Sequence, residues 1–132
     1  MAESFKVLSK IRSEEHLEHI TILMAVYRPN RSWLKEQLES LEKQSYADIS
    51  LCIADDCPEE PVGEAFFEEN LRRIPFVYEV HLQNIGTSQT YAALAKKVTD
   101  GYIAFCDQDD RWHPEKLKVL SEQMDSSDVQ AA

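Results

Sequence analysis

Three carboxylates fall within four residues in the segment "FCDQDDRWHPEKL", where Asp107, Asp109 and Asp110 follow directly on the apolar run "GYIAFC". A second acid pair, Asp55 and Asp56, follows another apolar run, "ISLCIA", and precedes the breaker "CPEEP". Carboxylates are hard oxygen ligands suited to Mg2+ or Mn2+ and acceptors for N–H donors. If Asp107 to Asp109 is extended, the two-residue period sends both side chains to one side and Gln108 to the other. Two carboxylates about 5 Å apart repel by roughly 3 kcal/mol at an effective dielectric near 20, so a divalent cation is a natural compensation if both stay ionised. An acidic turn ahead of a helix, whose dipole favours negative charge at its start, accounts for the same residues without a ligand. Asp55-Asp56 also reads as an ordinary acidic turn before Pro58.

The elements around these acids alternate. "ITILMAVY", Ile20 to Tyr27, and "ISLCIA", Ile49 to Ala54, are continuous apolar runs of the kind expected for strands buried on both faces. Between them "SWLKEQLESLEKQSY" places Leu34, Leu38 and Leu41 at i, i+4 and i+7, an amphipathic helix entered through Pro29 with Asn30 or Ser32 as its cap. A short helix through Ala65, Phe66, Phe67 and Leu71 precedes a third strand, "FVYEVHL". "SQTYAALAKKV" gathers Tyr91, Leu94, Ala95 and Val98 on one helical face, "GYIAFC" is a fourth strand, and a last helix opens at Pro114. Strand and helix alternate four times. This predicts an α/β fold, a mostly parallel sheet with helices on both faces, because parallel strands need crossover connections.

In such sheets ligands bind beyond the carboxyl ends of the strands, so the acids should converge on one edge although they are distant in sequence. Tyr27, ending the first strand, could pack against a base, and a carboxylate of the Asp55-Asp56 pair could accept a base N–H. "QNIGTS" brings Asn84 and Gly86 to a tight turn before a helix N-terminus, a place where an anion can lie. Neither GxGxxG nor GxxxxGK[ST] occurs, so a dinucleotide fingerprint and a P-loop are unsupported.

With 24 Asp plus Glu against 14 Lys plus Arg, the formal charge of −10 argues against nucleic-acid partners. An anionic ligand would need a local cation or backbone amides. Cys52, Cys57 and Cys106 lack paired CxxC spacing, which disfavours zinc, and together with a lead-in that reads as no secretory signal they predict a reducing, cytoplasmic setting. No run approaches the roughly 20 apolar residues of a membrane span, and peripheral association at the inner face of the membrane stays open. Residues 1–19 read as a lead-in or short helix with His16 and His19 solvated, 20–124 as the α/β domain, and 125–132 as a polar tail.

Taken together, "ITILMAVYRPN", "LKEQLESLEKQSYADISLCIADDCP", "LQNIGTSQTYAALAKKVTDGYIAFCDQDD" and "RWHPEKL" resemble, in order and spacing, the N-terminal half of family-2 glycosyltransferases of the GT-A fold. The resemblance implies transfer of a sugar from a nucleotide-diphosphate donor to a hydroxyl of a glycan or lipid-linked acceptor, in glycan or cell-surface polysaccharide synthesis. By position, Ala25 and Tyr27 match the first-strand base and ribose contacts. Asp56, with Asp55 beside it, matches the acid that reads the base. Asp107 and Asp109 match the family's DxD, with Asp109 ligating Mn2+ or Mg2+ and Asp107 contacting ribose or metal. "DQDD" followed by Trp112 is most similar to the rhamnosyltransferase-type branch, which implies a deoxy-sugar donor. The family's general base belongs to a C-terminal half that these residues do not match, so no catalytic base is assigned here and the chain is expected to bind donor and transfer poorly.

Two other readings compete. A receiver-like signalling domain is also a short α/β unit with clustered acids, but its acids would follow the first and third strands, whereas here they follow the second and fourth. A non-catalytic interaction module would carry the acids as a solvated face.

Overall fold

The computed structural model describes residues 18–107 and 110–126. Asp109, Gln108, most of the N-terminal lead-in and residues 127–132 lie outside the described residues. The element order is β1 (Ile20–Val26), α1 (Arg31–Glu42), β2 (Ile49–Asp55), α2 (Glu64–Asn70), β3 (Phe76–Val80), α3 (Thr87–Lys96), β4 (Tyr102–Cys106) and α4 (Lys116–Ser126). The expected alternation is present in full.

The four strands form one sheet in the order β3-β2-β1-β4, parallel throughout. One face carries Ile20, Ile22, Met24 and Val26 of β1 with Ile49, Leu51 and Ile53 of β2, packed on Leu34, Leu38 and Leu41 of α1, Phe67 of α2 and Leu117 of α4. The opposite face carries Leu23 and Ala54, packed on Leu94, Tyr91, Ala95 and Val98 around α3. Helices therefore lie on both faces, with β1 and β2 buried between them, while Val77 of β3 and Ile103 and Phe105 of β4 stay exposed on the α3 side. From β1 the chain steps outward to β2 and β3, then α3 carries it back to lay β4 on β1's other flank. Right-handed crossovers running in opposite directions put α1 and α2 on one face and α3 on the other. The reversal leaves a crevice at the carboxyl ends of β1 and β4.

Local chemistry fixes the ends of these elements. Asn30 Oδ1 accepts from Trp33 N at 3.0 Å and from Ser32 Oγ at 2.8 Å, so Asn30 is the cap of α1 and Ser32 supports it. Gly101 turns into β4 at φ +80°, where a Cβ would come within 2.4 Å of His19 O; only glycine fits that approach. The last helix begins at Lys116, two residues later than Pro114 suggested. Lys116 N bonds His113 O at 3.0 Å and Glu115 N bonds His113 Nδ1 at 3.1 Å, so Pro114 and Glu115 form a turn that the helix then extends.

Candidate functional site

The crevice at the β1/β4 reversal holds a pocket of about 220 Å³ lined by Ala25, Val26, Tyr27, Asp56, Thr87, Thr90, Tyr91 and Asp107. Four of the residues singled out from sequence, Ala25, Tyr27, Asp56 and Asp107, meet there from three strand ends. A larger groove of about 530 Å³ runs between β4 and α4, but its walls are Phe105, Trp112, Leu117, Leu120 and similar apolar groups, with no converging acids.

Asp55 and Asp56 are adjacent in sequence and part company in space, since successive residues at a strand end point to opposite faces. Asp55 is fully buried on the side of α1 and α2. Its Oδ1 accepts from Cys57 N at 3.2 Å, and its Oδ2 accepts from Val62 N at 2.8 Å and Tyr78 Oη at 2.7 Å. Gly63 N donates to that same Tyr78 oxygen at 2.9 Å. Burial first, and the Asp55 carboxylate as well, push the Tyr78 phenol up to about 12, so it stays a donor. Asp55 thus ties the loop after β2 to β3 and does not line the pocket.

Asp56 borders the pocket with only 4% of its surface exposed. Its Oδ1 accepts from His81 Nδ1 and Ile85 N, and its Oδ2 from Asn84 Nδ2 and Gly86 N, all four at 2.8 Å. Burial alone would raise this carboxyl. The His81 side chain and the Ile85 and Gly86 amides outweigh it and hold the group below the usual carboxylate value. Four donors occupy the lone-pair sites a carboxylate offers. Asn84 and Gly86 accordingly contact Asp56, and Gly86 enters α3 at φ +92°, a left-handed conformation that suits glycine.

Asp107 differs from both. It is exposed, and its neighbourhood is organised through main-chain groups: Tyr91 Oη donates to Cys106 O at 2.8 Å, and Gln37 Nε2 donates to Asp107 O. Burial first, with the nearby Asp107 and Cys106, pushes the Tyr91 phenol up to about 12. The Cys106 thiol is also raised to about 12, chiefly by burial, which makes it an inert core thiol. Cys57 is buried too, and Cys52 is half-buried on the α3 side.

Lining residues on α3 escaped the sequence reading. Thr87, Thr90 and Tyr91 follow an i, i+3, i+4 pattern, and Thr87 opens the helix on the pocket. His81 and Tyr78, the partners of the two buried acids, were not assigned from sequence; alternation along β3 gives their faces but no partner.

Among the described residues the pocket lining includes two acids and no Lys or Arg. No group of three His, Cys, Asp or Glu side chains forms a metal cage among the described residues. Among the described lining residues, Asp107 carries the exposed carboxylate. That donor set fits a Mg2+ or Mn2+ site of the shared kind, in which one or two carboxylates and substrate phosphates complete the coordination.

An all-parallel sheet reversing at a pocket between β1 and β4, with acids at the strand ends, defines the Rossmann-like nucleotide-binding half of a GT-A fold. The architecture is similar to the 1–349 fragment of S. aureus TarS in complex with UDP, at TM-score 0.70 and 20% identity over 82% of this chain and 32% of that one. It is also similar to the mannosyltransferase PcManGT from Pyrobaculum calidifontis in complex with GDP-Man and Mn2+, at TM-score 0.64 and 14% identity over 84% of this chain and 37% of that one. A family model described as glycosyl transferase family 2 matches residues 21–132, and the chain belongs to that family. The dTDP-rhamnosyl transferase RfbG of Shigella flexneri is 32% identical over 102 residues, covering 72% of this chain and 34% of RfbG. The chain spans between 12% and 42% of the length of the curated relatives it matches. No described helix is long and apolar enough to cross a membrane.

Proposed function

We propose that this chain is the donor-binding portion of a glycosyltransferase and that the pocket between β1 and β4 receives a nucleotide-diphosphate sugar. The observation that carries the reading is the mixed lining of the pocket: Ala25 and Tyr27 at the end of β1 offer a partly apolar wall, and Asp107 at the neighbouring end of β4 leaves an exposed carboxylate. The base and ribose lie against Ala25 and Tyr27. The diphosphate lies toward Asp107, with Asp109 of the same loop as its second acid, and toward the first turn of α3 at Thr87, where free amides favour an anion. A base N–H reaches Asp56 by displacing Asn84 Nδ2, which keeps Asp56 O as an acceptor at 3.1 Å. Otherwise Asp56 acts as the floor that shapes the turn into α3.

A bound Mn2+ or Mg2+ supplies the positive charge that offsets the diphosphate and the leaving nucleotide. The protein's own residues hold Asp107 at the pocket and screen the base on the β1 side. Accepting the proton of an acceptor hydroxyl needs a base within hydrogen-bond reach. Asp56, with its lone pairs occupied, and Tyr91, neutral at ordinary pH, do not fill that role. We therefore assign donor binding to these residues and acceptor activation to none of them. The likeness to RfbG and the "DQDD" motif followed by Trp112 support a dTDP-linked deoxy-sugar as the donor to test first.

A thermal-shift screen of dTDP, UDP and GDP, each with and without Mn2+, tests the proposal. Ligand at a hundredfold excess over its Kd adds about 2.7 kcal/mol of apparent stability. The expected result is stabilisation by at least one nucleoside diphosphate that increases with Mn2+. No stabilisation by any of the three would return the domain to a non-catalytic module.

A further inference from the structure

The side of α1 facing the acidic loop carries a row of polar groups. Gln37 and Ser40 share a helical face, and Gln44 continues it just past the helix end. Each reaches main-chain groups about 70 residues away. Gln37 Nε2 donates to Asp107 O and lies 3.1 Å from Cys106 Sγ. Ser40 Oγ accepts from Trp112 N at 3.1 Å and donates to Gln37 O at 2.7 Å. Gln44 Nε2 donates to His113 O at 2.7 Å, while its Oε1 accepts from Leu117 N at 3.0 Å.

Gln37 is fully buried and Gln44 is 4% exposed. Burying an amide side chain is costly unless it is hydrogen-bonded. Gln37 Nε2 is spent on the backbone of the loop that leaves β4 with the acids, its Oε1 staying buried without a partner, and Gln44 ties the end of that loop to the first turn of α4. Their targets are carbonyls, a backbone amide and the Cys106 thiol, never a carboxylate, so the loop is held while the Asp107 side chain stays exposed.

The contact at Asp107 is placed where it matters most. Tyr91 Oη reaches Cys106 O from the α3 face at 2.8 Å, and Gln37 reaches Asp107 O from the α1 face. Those two carbonyls belong to the peptide planes on either side of the Asp107 Cα, and a peptide unit is planar. Holding both planes fixes the direction in which the Asp107 side chain leaves the backbone. Asp107 O also accepts from Asp110 N at 3.1 Å, so the Gln37 contact lies at the pivot of the loop's turn.

We propose that Gln37, supported by Ser40 and Gln44, is a positioning residue that aims Asp107 at the phosphate end of the pocket. The inference rests on the donor-pocket reading above. It gives α1 a second task beside its apolar stripe: a template for the acidic loop.

The test compares the 132-residue chain with Gln37→Met, which keeps the volume and removes the donor, and with Ser40→Ala and Ser40→Thr. Calorimetry with dTDP and with UDP, each with and without Mn2+, separates metal-linked from metal-free binding. Gln37→Met is expected to reduce the Mn2+-dependent gain in affinity about tenfold, as for groups that orient a metal's ligands, with the metal-free affinity unchanged. Ser40→Ala should lose less in the same direction, and Ser40→Thr, which retains the hydroxyl, should restore it. Hydrogen exchange provides a readout that needs no ligand: the Asp110 and Trp112 amides should exchange faster in Gln37→Met while β1 amides do not change. Equal losses with and without Mn2+, or unchanged exchange at Asp110, would overturn the positioning role. A wild-type chain with no Mn2+-linked binding would overturn the donor-pocket reading instead, and the exchange rates alone would then decide the role of Gln37. If Gln37→Met does not fold, Ser40→Ala and Ser40→Thr carry the same comparison.

Discussion

The ends of β2 and β4 look alike in sequence and are built in opposite ways. Each is an apolar strand that runs into clustered acids. At β2 the carboxylates are the hubs: Asp55 and Asp56 are buried and together accept seven hydrogen bonds from backbone and side-chain donors. At β4 the hubs are main-chain carbonyls, held by Gln37 and Tyr91, and the Asp107 carboxylate is exposed. The same residue type at equivalent strand ends serves to hold loops at one and to face a ligand at the other. The deciding quantity is how many donors the surroundings aim at the carboxylate.

The contrast can be broken first at Asp55. Asp55→Ala leaves the buried Cys57 N and the part-buried Val62 N and Tyr78 Oη without their acceptor, and each buried donor left without a partner costs about 1–3 kcal/mol. The expected loss of about 3–5 kcal/mol would appear in urea unfolding as a much lower midpoint. A loss below 1 kcal/mol would mean that the β2 acids are not hubs.

Asp56 should show a smaller loss with a pH signature. Its carboxyl is held below the ordinary 3.8 in the folded chain, so the unfolded chain binds protons more readily. The stabilisation is fully present above about 3.8 and is lost as pH falls through the lower, folded value. Asp56→Asn turns an amide N–H toward two donors and should cost about 2–3 kcal/mol at neutral pH. The difference between wild type and variant should shrink as the pH is lowered from 4 toward 2. A difference that stays constant with pH would contradict the charge-based account.

Asp107 should barely matter to folding. Asp107→Asn is expected to change stability by no more than about 0.5 kcal/mol, as exposed positions do, while removing most of the Mn2+-dependent nucleotide stabilisation. Those two measurements on one variant sharpen the contrast with Asp55, for which the effects should be reversed.

Much of this architecture is legible along the chain. The spacing of Leu34, Leu38 and Leu41 specifies the buried side of α1, and all three are fully buried. Apolar runs ending in acids locate the strand ends, and alternation with helices implies parallel pairing. The stripe of α1 also carries a clue to the loop contact, for Gln37 occupies the i+3 position between Leu34 and Leu38, where an apolar residue is the rule. A polar residue there has to find a partner indoors. Likewise Ile49, Leu51, Ile53 and Asp55 share one parity along β2, which separates Asp55 from Asp56 before any partner is known.

Period and chain connectivity are local properties, so the element order, the apolar faces and the convergence of acids at one sheet edge can be read along the chain. Which acids are used up and which is offered follows from the packing of distant segments. That choice depends on donors brought from far along the chain: Tyr78 to Asp55, His81 and Asn84 to Asp56, and Gln37 to the backbone beneath Asp107. A carboxylate has the same chemistry in each place, and the direction of its neighbours' N–H and O–H groups sets whether it faces protein or ligand.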